Sequence, residues 1–175
     1  GLQNQVFEND IGNKLDIFGK TKIKIKDYQE KKCKSNKINS VWLRLFYVYG
    51  INQRKESLIP FVINKIKNDE KIELKNPSMS NDYIFLDDVI KIIENSIYLN
   101  DQILTLNVGS GKLVKNQKIA RTIAKIYKKE YLIVNNFEKE KKKIYFYAST
   151  KLMKKKLFFK KFISLKNGLK KLIKI

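Results

Sequence analysis

Two pairs of tyrosine and lysine, each four positions apart, could carry proton-transfer chemistry. They are Tyr28 with Lys32 and Tyr147 with Lys151, the second pair within the stretch YASTK. A lysine ammonium beside a tyrosine lowers the pKa of the phenol and prepares it to pass a proton. However, only three of the 38 lysine and arginine residues are arginine, which leaves 35 lysines in 175 positions. Nine tyrosines then give about one or two such pairs by chance, so this spacing alone does not predict a catalytic site.

Other residues with chemical potential give only structural predictions. GSGK at 109–112 follows a predicted strand but lacks the G-x-G-x-x-G spacing of a dinucleotide cradle, so we predict a simple turn. Asp87 and Asp88 are adjacent, so their side chains diverge, and we predict that they cap a helix and complement its dipole. The chain has no histidine, and Cys33 is its single cysteine. The sequence therefore predicts neither a disulfide nor a metal site.

Composition and charge limit the possible classes of protein. The 175 residues are 43% hydrophobic, which suits one globular domain over residues 1–175. The net charge of +21 would attract polyanions, so a polyanion-binding basic protein is one alternative. Because the charge is nearly all lysine, and arginine is preferred for bidentate contacts to phosphates and bases, nucleic acid is not the expected partner. No apolar run of about 18 residues and no signal peptide is evident, so we expect no membrane partner and a cytoplasmic location.

Alternating strands and helices are predicted along the chain. Ser40–Tyr49 is rich in β-branched and aromatic residues and predicts one buried strand that Gly50 ends. Lys20–Lys34 fits either a strand or a helix. Further short strands are predicted at 71–75 (KIELK), 83–86, 104–108 and 131–134 (YLIV).

Capping residues and apolar spacing predict the helices. They begin at Ser57, Asp87, Asn116, Ser149 and Ser164. The helix from Asp87 is predicted to run to about Tyr98, with an inward face of Val89, Ile92, Ile93 and Ile97. This alternation of elements predicts an α/β domain with at least part of its sheet parallel.

Five motifs follow one another along nearly the whole chain. They are LRLFYVYG (43–50), SLIP (57–60), NDYIFLDDV (81–89), NVGSG (107–111) and the tail from STKLM to GLKKLI (149–173). In this order they resemble the C-terminal half of the extended short-chain dehydrogenase/reductases, the NAD-dependent epimerase/dehydratase family that acts on nucleotide sugars. The resemblance implies the C-terminal part of a Rossmann-type parallel sheet, with flanking helices and a small substrate-binding lobe.

The resemblance also places the catalytic segment. DIFGKTK at 16–22 matches the family's Y-G-x-(S/T)-K, except that Phe18 stands where the family has tyrosine. That tyrosine exchanges a proton with a sugar oxygen while hydride moves to or from nicotinamide, and the lysine lowers its pKa and binds the nicotinamide ribose. The match implies Phe18 and Lys22 at the catalytic position, and Lys22 and Phe46 beside NAD or NADP. Phenylalanine cannot transfer a proton, a loss of at least about 10²–10⁴-fold. YASTK falls at a surface helix start without chemistry.

The resemblance further implies a set of substrate contacts. They are Tyr47, Ser57, Leu58, Ile72, Leu74 and Asn81. Tyr47 replaces an asparagine that contacts the sugar, and Asn81 replaces an arginine that grips the diphosphate. Helix capping and core packing remain alternative roles for Ser57, Leu58 and the segment 72–74. Arg44 is expected to have a structural partner. The lysines within 139–143 lie near a second phosphate-gripping arginine of the family, although solvation is the expected role of this run.

Together these matches imply the C-terminal portion of an NAD(P)-dependent nucleotide-sugar epimerase, dehydratase or 4-ketoreductase of surface polysaccharide synthesis. The family's Gly-rich cofactor fingerprint is absent. We therefore expect a partial domain that lacks the N-terminal dinucleotide-binding strands and is inactive alone. One alternative is a non-catalytic module that binds a nucleotide sugar. Such a module could instead pair with a second copy, a full-length homologue or the missing N-terminal half.

Overall fold

The computed structural model describes residues 2–11, 16–134 and 144–174. Its strands are β1 (Leu2–Val6), β2 (Ser40–Leu45), β3 (Tyr47–Tyr49), β4 (Ser80–Phe85), β5 (Ile103–Val108), β6 (Leu113–Lys115) and β7 (Ile144–Ala148). Its α-helices are α1 (Ile17–Ser35), α2 (Leu58–Lys67), α3 (Leu86–Ser96), α4 (Asn116–Tyr127), α5 (Lys151–Leu157) and α6 (Leu165–Ile173). The ambiguous segment Lys20–Lys34 is thus helical, within α1.

Most strand pairs are parallel. β1 pairs with β7, β2 with β5 and β3 with β4, all in parallel, whereas β4 pairs with β6 in the antiparallel sense. Helices connect most of the parallel strands, as parallel connections require. The predicted α/β domain with a partly parallel sheet is confirmed.

The predicted single strand Ser40–Tyr49 is two strands, so that prediction is wrong. Phe46 separates β2 from β3, and its N–H donates to the carbonyl of Val108 at 2.9 Å. Val108 is the last residue of β5, so β2 loses its partner there. Beyond Phe46 the chain pairs with β4 instead, with Tyr47 opposite Tyr83. The residues of this segment favour a strand throughout, but strand propensity does not show where a strand changes its pairing partner.

The predicted strands KIELK and YLIV are also wrong. Ile72 makes only an isolated parallel bridge with Ile133, and Glu130–Leu132 forms a short 3-10 helix. The Ile72 N–H donates to the carbonyl of Leu132 at 2.8 Å, and its carbonyl accepts from Val134 at 3.0 Å. Ile72 and Leu132 are buried. The apolar residues of these two segments therefore indicate burial in the core and do not indicate a paired strand.

The predicted capping by Asp87 and Asp88 is wrong, whereas their predicted place beside the positive end of the helix dipole is confirmed. Phe85 is the N-cap of α3, while Asp87 pairs with Lys171 Nζ at 2.8 Å and Asp88 accepts from the N–H of Ile163 at 2.8 Å. The acids therefore join α3 to the α6 region, although both still lie in the first turn, where negative charge suits the helix dipole.

Serines occupy three further helix starts with different results. Thr150, and not Ser149, is the N-cap of α5. Ser164 caps α6 as predicted, because its hydroxyl accepts from the N–H of Asn167 at 3.3 Å. Ser57 is the N-cap of α2 by position, but its side chain makes no capping hydrogen bond.

Two clusters of buried side chains form the core. The larger cluster joins β3, β4, α2, α4 and α6, and the smaller joins β4, β5, α3 and α5. In α2, Ile59, Val62 and Ile66 are almost completely buried, worth about 1.5–3 kcal/mol each. The inward face predicted for α3 is too wide, because Ile93 and Ile97 are exposed whereas Val89 and Ile92 are buried.

Candidate functional site

Phe18 and Lys22 lie on the exposed first turns of α1. Asp16 caps this helix, since its carboxylate accepts from the N–H of Gly19 at 2.7 Å. The Phe18 side chain is 69% exposed, and Lys22 Nζ lies 5.3 Å from the centroid of its ring. The Thr21 hydroxyl donates to the carbonyl of Ile17 at 2.8 Å and is occupied by its own helix. The lysine and the ring are thus held together, without a hydroxyl for proton transfer at position 18.

Lys22 lines a cleft of about 470 Å³ between α1, the β2–β5 pair and the segment after β1. Lys26, Trp42, Arg44 and Glu8 are among its other lining residues. Lys26 forms an ion pair with Glu30 on the same helix. The Oε1 of Glu8 is buried without a hydrogen-bond partner. The cleft therefore offers the Lys22 ammonium to a polar ligand, whereas the Oε1 of Glu8 is closed off from it.

Arg44 holds the segment that follows β1. Its guanidinium donates to the carbonyls of Phe7 and Glu8, at 3.1 and 3.2 Å, and to Oδ1 of Asn107 at 3.4 Å. Asn107 is fully buried and donates in turn to the carbonyl of Val6 at 2.9 Å. The structural role expected for Arg44 is confirmed. Asn107 was not predicted, although a lone amide in the apolar run LTLNV was a signal of a buried polar contact.

The Tyr/Lys pair of YASTK does not form a common helix face. Tyr147 lies in β7 opposite Gln5 of β1, whereas Lys151 begins α5. The segment is therefore a strand end followed by a helix start, rather than the helix start alone that the resemblance implied. The pair Tyr28 and Lys32 lies on α1, with Lys32 Nζ 5.7 Å from the centroid of the exposed Tyr28 ring.

The glycine turn after β5 is built around Asp82. The Oδ1 of this carboxylate accepts from the N–H and hydroxyl of Ser110 at 2.7 and 2.6 Å. Its Oδ2 accepts from the N–H groups of Gly111 at 3.0 Å and of Ala148 at 2.9 Å. Asp82 is only 2% exposed. Because the N–H groups of Ser110 and Gly111 already donate to Asp82, this turn has a structural role, as predicted. Asp82 itself was missed, although it stands beside the predicted Asn81.

Asn81 and Tyr47 both contact Tyr83. Asn81 Nδ2 donates to the Tyr83 hydroxyl at 3.4 Å, and the rings of Tyr47 and Tyr83 are 4.5 Å apart between centroids. Burial raises the pKa of Tyr83 to about 12, so its phenol stays protonated and donates to Oδ1 of Asn116 at 3.0 Å. This cluster of side chains in the first part of β4 is the part of the predicted substrate site that the structure brings together.

The other predicted substrate contacts surround the larger core cluster. Leu58 packs against this cluster, and Ile72 and Leu74 are buried within it. Both backbone polar groups of Ile72 are occupied by the bridge to Leu132 and Val134, so they are not free for a nucleotide base. Ser57 and Phe46 are half-buried. The lysines within 139–143 lie outside the described residues.

Two classes of site find no support in the described parts of the chain. Within residues 2–11, 16–134 and 144–174, no helix is long and apolar enough to cross a membrane. Across the same ranges, no three metal-ligating side chains come together.

Parallel strands joined by helices, with a Lys-bearing helix beside the β2–β5 pair, define a Rossmann-type α/β protein. The chain belongs to the NAD dependent epimerase/dehydratase family, which matches residues 4–109. The family expected from the motifs is therefore confirmed, and so is the fold.

Known relatives and solved structures extend this result. The chain is 29% identical over 179 residues to the ADP-L-glycero-D-manno-heptose-6-epimerase of Brachyspira hyodysenteriae, covering 94% of this chain and 56% of the relative. It is 33% identical over 87 residues to the CDP-abequose synthase of Salmonella muenchen, covering 47% of this chain and 29% of the relative. The chain thus spans little more than half the length of the first and less than a third of the second.

A solved structure supports the fold. It is a Tyr-to-Phe variant of the UDP-glucuronic acid 4-epimerase of Bacillus cereus, in complex with UDP-4-deoxy-4-fluoro-glucuronic acid and NAD. It matches with a TM-score of 0.82 at 23% identity, covering 98% of this chain and 55% of that one.

Proposed function

We propose that this chain is the C-terminal portion of an NAD(P)-dependent nucleotide-sugar epimerase, dehydratase or 4-ketoreductase. The observation that carries the proposal is the family match over residues 4–109. The named relatives support it, because each is named for an ADP- or CDP-linked sugar, and the solved neighbour binds a UDP-linked sugar with NAD. Their shared feature is a sugar carried on a nucleoside diphosphate.

Part of a nicotinamide cofactor site fits the residues present. Lys22 lines the cleft and has no carboxylate partner among the described residues, so it is free to donate to ribose hydroxyls. Phe46, where β2 gives way to β3, would pack beside the nicotinamide. The turn Gly109–Gly111 does not fit the pyrophosphate, because Asp82 already occupies its amides. When bound, the cofactor would supply hydride exchange with a sugar carbon.

The residues of this chain would bind and orient the sugar nucleotide rather than move its proton. Asn81 would hydrogen-bond the diphosphate, and Tyr47 would contact the sugar. Ser57 and Leu58 at the start of α2, with Leu74, would face the nucleotide. Phe18 has no ionisable group, so we expect no reduction of NAD+ by the purified chain with any nucleotide sugar.

Calorimetric titration with ADP-, CDP-, UDP- and dTDP-sugars tests this proposal. We expect at least one to bind the 175-residue chain, and Asn81→Ala to weaken that binding about 5–10-fold through the loss of one hydrogen bond. Asn95→Ala is the matched control, since Asn95 is an exposed asparagine on α3. Failure of all four to bind, or an equal loss in both variants, would contradict the proposal.

A second candidate function is pairing through α1. This 19-residue helix has no fully buried residue, and Ile17, Phe18, Ile25 and Tyr28 are exposed on it. It carries seven lysines and two acidic residues, Asp27 and Glu30, so its net charge is positive and two copies of the helix would repel each other. An apolar and acidic face on another polypeptide is the partner that this charge favours. We expect the chain alone to be monomeric. Its sedimentation tests whether a second copy of the chain is excluded as the partner of α1.

A further inference from the structure

Six lysines lie within residues 151–161, and this segment contains no aspartate or glutamate. Lys156 forms an ion pair with Asp101. The other five lysines are exposed and form no ion pair with a described carboxylate: Lys151, Lys154, Lys155, Lys160 and Lys161. The segment comprises α5 and the residues that follow it, and none of the residues proposed to hold the cofactor or the nucleotide sugar lies in it. Its positive charge therefore has no role in the site described above.

The three exposed lysines of α5 share one side of the helix. Lys154 and Lys155 follow Lys151 by three and four residues, and this spacing places side chains on the same helix face. Met153 and Leu157 are buried in the smaller core cluster. Because this packing fixes which side of α5 meets solvent, the exposed side is uniformly positive.

Phe158 ends α5 one helical turn beyond Lys154 and Lys155. Its side chain is 86% exposed. Its backbone has a φ of 48°, in the left-handed region that favours glycine and that bulky residues seldom adopt. Neither the exposed ring nor this backbone conformation stabilises the fold, so the ring is available to a partner outside the chain.

The residues after Phe158 hold its ring outward. Phe159 and Phe162 pack against the smaller core cluster, with 5.0 Å between their ring centroids. Lys154 joins this packing, since its Nζ lies 5.1 Å from the centroid of the Phe162 ring and its carbonyl accepts from the Phe159 N–H at 3.2 Å. With this anchor, Phe158 is presented to solvent without any rearrangement.

We propose that the five exposed lysines and Phe158 form one surface, the α5 surface, which binds an anionic lipid bilayer with the Phe158 ring inserted among the headgroups. Clusters of four to eight lysines are attracted to anionic lipids, and an aromatic ring beside them adds apolar burial. A lysine ammonium acts as a point charge and requires no fixed geometry of the anion. This property suits a fluid layer of headgroups better than the base edges and phosphates of a nucleic acid.

The expectation of no membrane partner rested on the lack of an apolar run long enough to span a bilayer. Contact with the surface of a bilayer needs no such run, because the charged side chains stay in the headgroup layer. The described residues contain no spanning helix, so a peripheral contact is the form of membrane binding that they allow.

Co-sedimentation of the 175-residue chain with lipid vesicles tests the proposal. We expect binding to mixed vesicles of phosphatidylcholine and phosphatidylglycerol, and far weaker binding to phosphatidylcholine alone. The triple variant Lys151→Gln, Lys154→Gln, Lys155→Gln should weaken this binding about 100-fold, which is roughly 5-fold for each lysine.

A matched triple variant of α1 is the control for total charge. Lys24→Gln, Lys31→Gln, Lys34→Gln removes the same charge from three exposed lysines and should keep most of the binding. An equal loss in the two triple variants would assign the binding to the net charge of +21 as a whole and overturn the proposal.

Phe158→Gly separates insertion of the ring from attraction by charge. We expect it to weaken binding to the mixed vesicles about 10-fold, because the apolar contact is lost. Glycine adopts the left-handed conformation readily, so this variant should unfold at a urea concentration equal to or above that of the parent chain. Its binding of nucleotide sugars should be unchanged. Vesicle binding that survives Phe158→Gly would overturn the proposal.

The fluorescence of Phe158→Trp reports directly on insertion. Trp42 is the single tryptophan of the parent chain and supplies the background signal. We expect the emission of the new tryptophan to shift to shorter wavelength with the mixed vesicles and to stay in place with a single-stranded oligonucleotide. An unchanged emission with the vesicles would overturn the proposal. So would tighter binding to the oligonucleotide that is lost in Phe158→Gly, because it would assign the α5 surface to nucleic acid.

Discussion

Asp82 and Ala148 are 66 residues apart in the sequence and are joined by a hydrogen bond of 2.9 Å from the Ala148 N–H to Asp82 Oδ2. The same carboxylate holds the turn at Ser110 and Gly111. Two of the motifs that resemble the family, NDYIFLDDV and NVGSG, and the residue just before the STKLM motif therefore meet at one buried carboxylate. A carboxylate that accepts four such bonds ties β4, the turn after β5 and the end of β7 into one unit.

Asp82→Asn should destabilise the fold by about 2–5 kcal/mol. The amide of asparagine would turn an N–H group toward the Gly111 and Ala148 donors, and each unsatisfied buried group costs about 1–3 kcal/mol. Urea unfolding measures the change. Asp87→Asn is the matched control, because its ion pair with Lys171 is exposed and worth at most about 1 kcal/mol. Equal losses in the two variants would show that Asp82 has no special role.

Gly168 and Tyr49 should be energetically coupled. A Cβ atom at Gly168 would collide with the Tyr49 hydroxyl and come within 3.0 Å of the Phe85 ring. Gly168→Ala should therefore cost about 1–3 kcal/mol, despite the helix propensity of alanine. Tyr49→Phe should be neutral or stabilising, since this hydroxyl is buried without a partner. In the Tyr49→Phe background we expect Gly168→Ala to lose most of its cost.

Urea unfolding of the two single variants and the double variant completes this cycle. A coupling energy near zero would mean that the Tyr49 hydroxyl moves away without cost, and the prediction would then be wrong.

The motifs predicted the family because each is a short run of neighbouring residues whose types can be recognised directly in the sequence. They did not predict contacts such as the one between Asp82 and Ala148, because sequence spacing carries no information about a partner 66 positions away. β1 and β7 were missed for the same reason. LQNQV is rich in polar residues and becomes a strand only because Leu2–Val6 lies alongside Ile144–Ala148.

The candidate site, like the fold, was predicted only where its residues are close together in the sequence. The spacing of DIFGKTK placed Phe18 and Lys22 together, and helical geometry brings residues four apart to one face. The rest of the cleft, including Glu8 and Trp42, comes from distant segments that no local pattern links to Lys22. The burial of Ile72 and Leu74 depends on which helices cover them, and this follows only from the assembled fold.

Asp88 should make the stability of the fold fall as pH rises. Burial raises the pKa of Asp88, an effect that the hydrogen bond from Ile163 and the nearby Lys91 and Lys171 only partly oppose, while Asp87 adds to it. Above the usual aspartate pKa of about 3.9, the unfolded chain ionises first, so ionisation favours unfolding until the raised folded pKa is passed.

Asp88→Asn tests this sign, since its amide oxygen can still accept from Ile163. We expect the variant to be at least as stable as the parent at neutral pH. Its advantage should shrink as the pH is lowered to about 3.9. Urea unfolding of both proteins over this range provides the measurement. An advantage that is constant, or that grows in acid, would contradict the prediction.

Phe18→Tyr should create a phenol whose pKa depends on Lys22. The ammonium of Lys22 lies 5.3 Å from the centre of the ring, and an exposed charge at this distance lowers a phenol pKa by about half a pH unit or less. A pH titration of phenolate absorbance, taken as the difference from the parent chain, isolates the new tyrosine. The double variant Phe18→Tyr, Lys22→Met is the control, and its new phenol should titrate at the higher pH. If the two new phenols titrate together, Lys22 does not act on position 18, and the assignment of residues 16–22 as the proton-transfer segment loses its support.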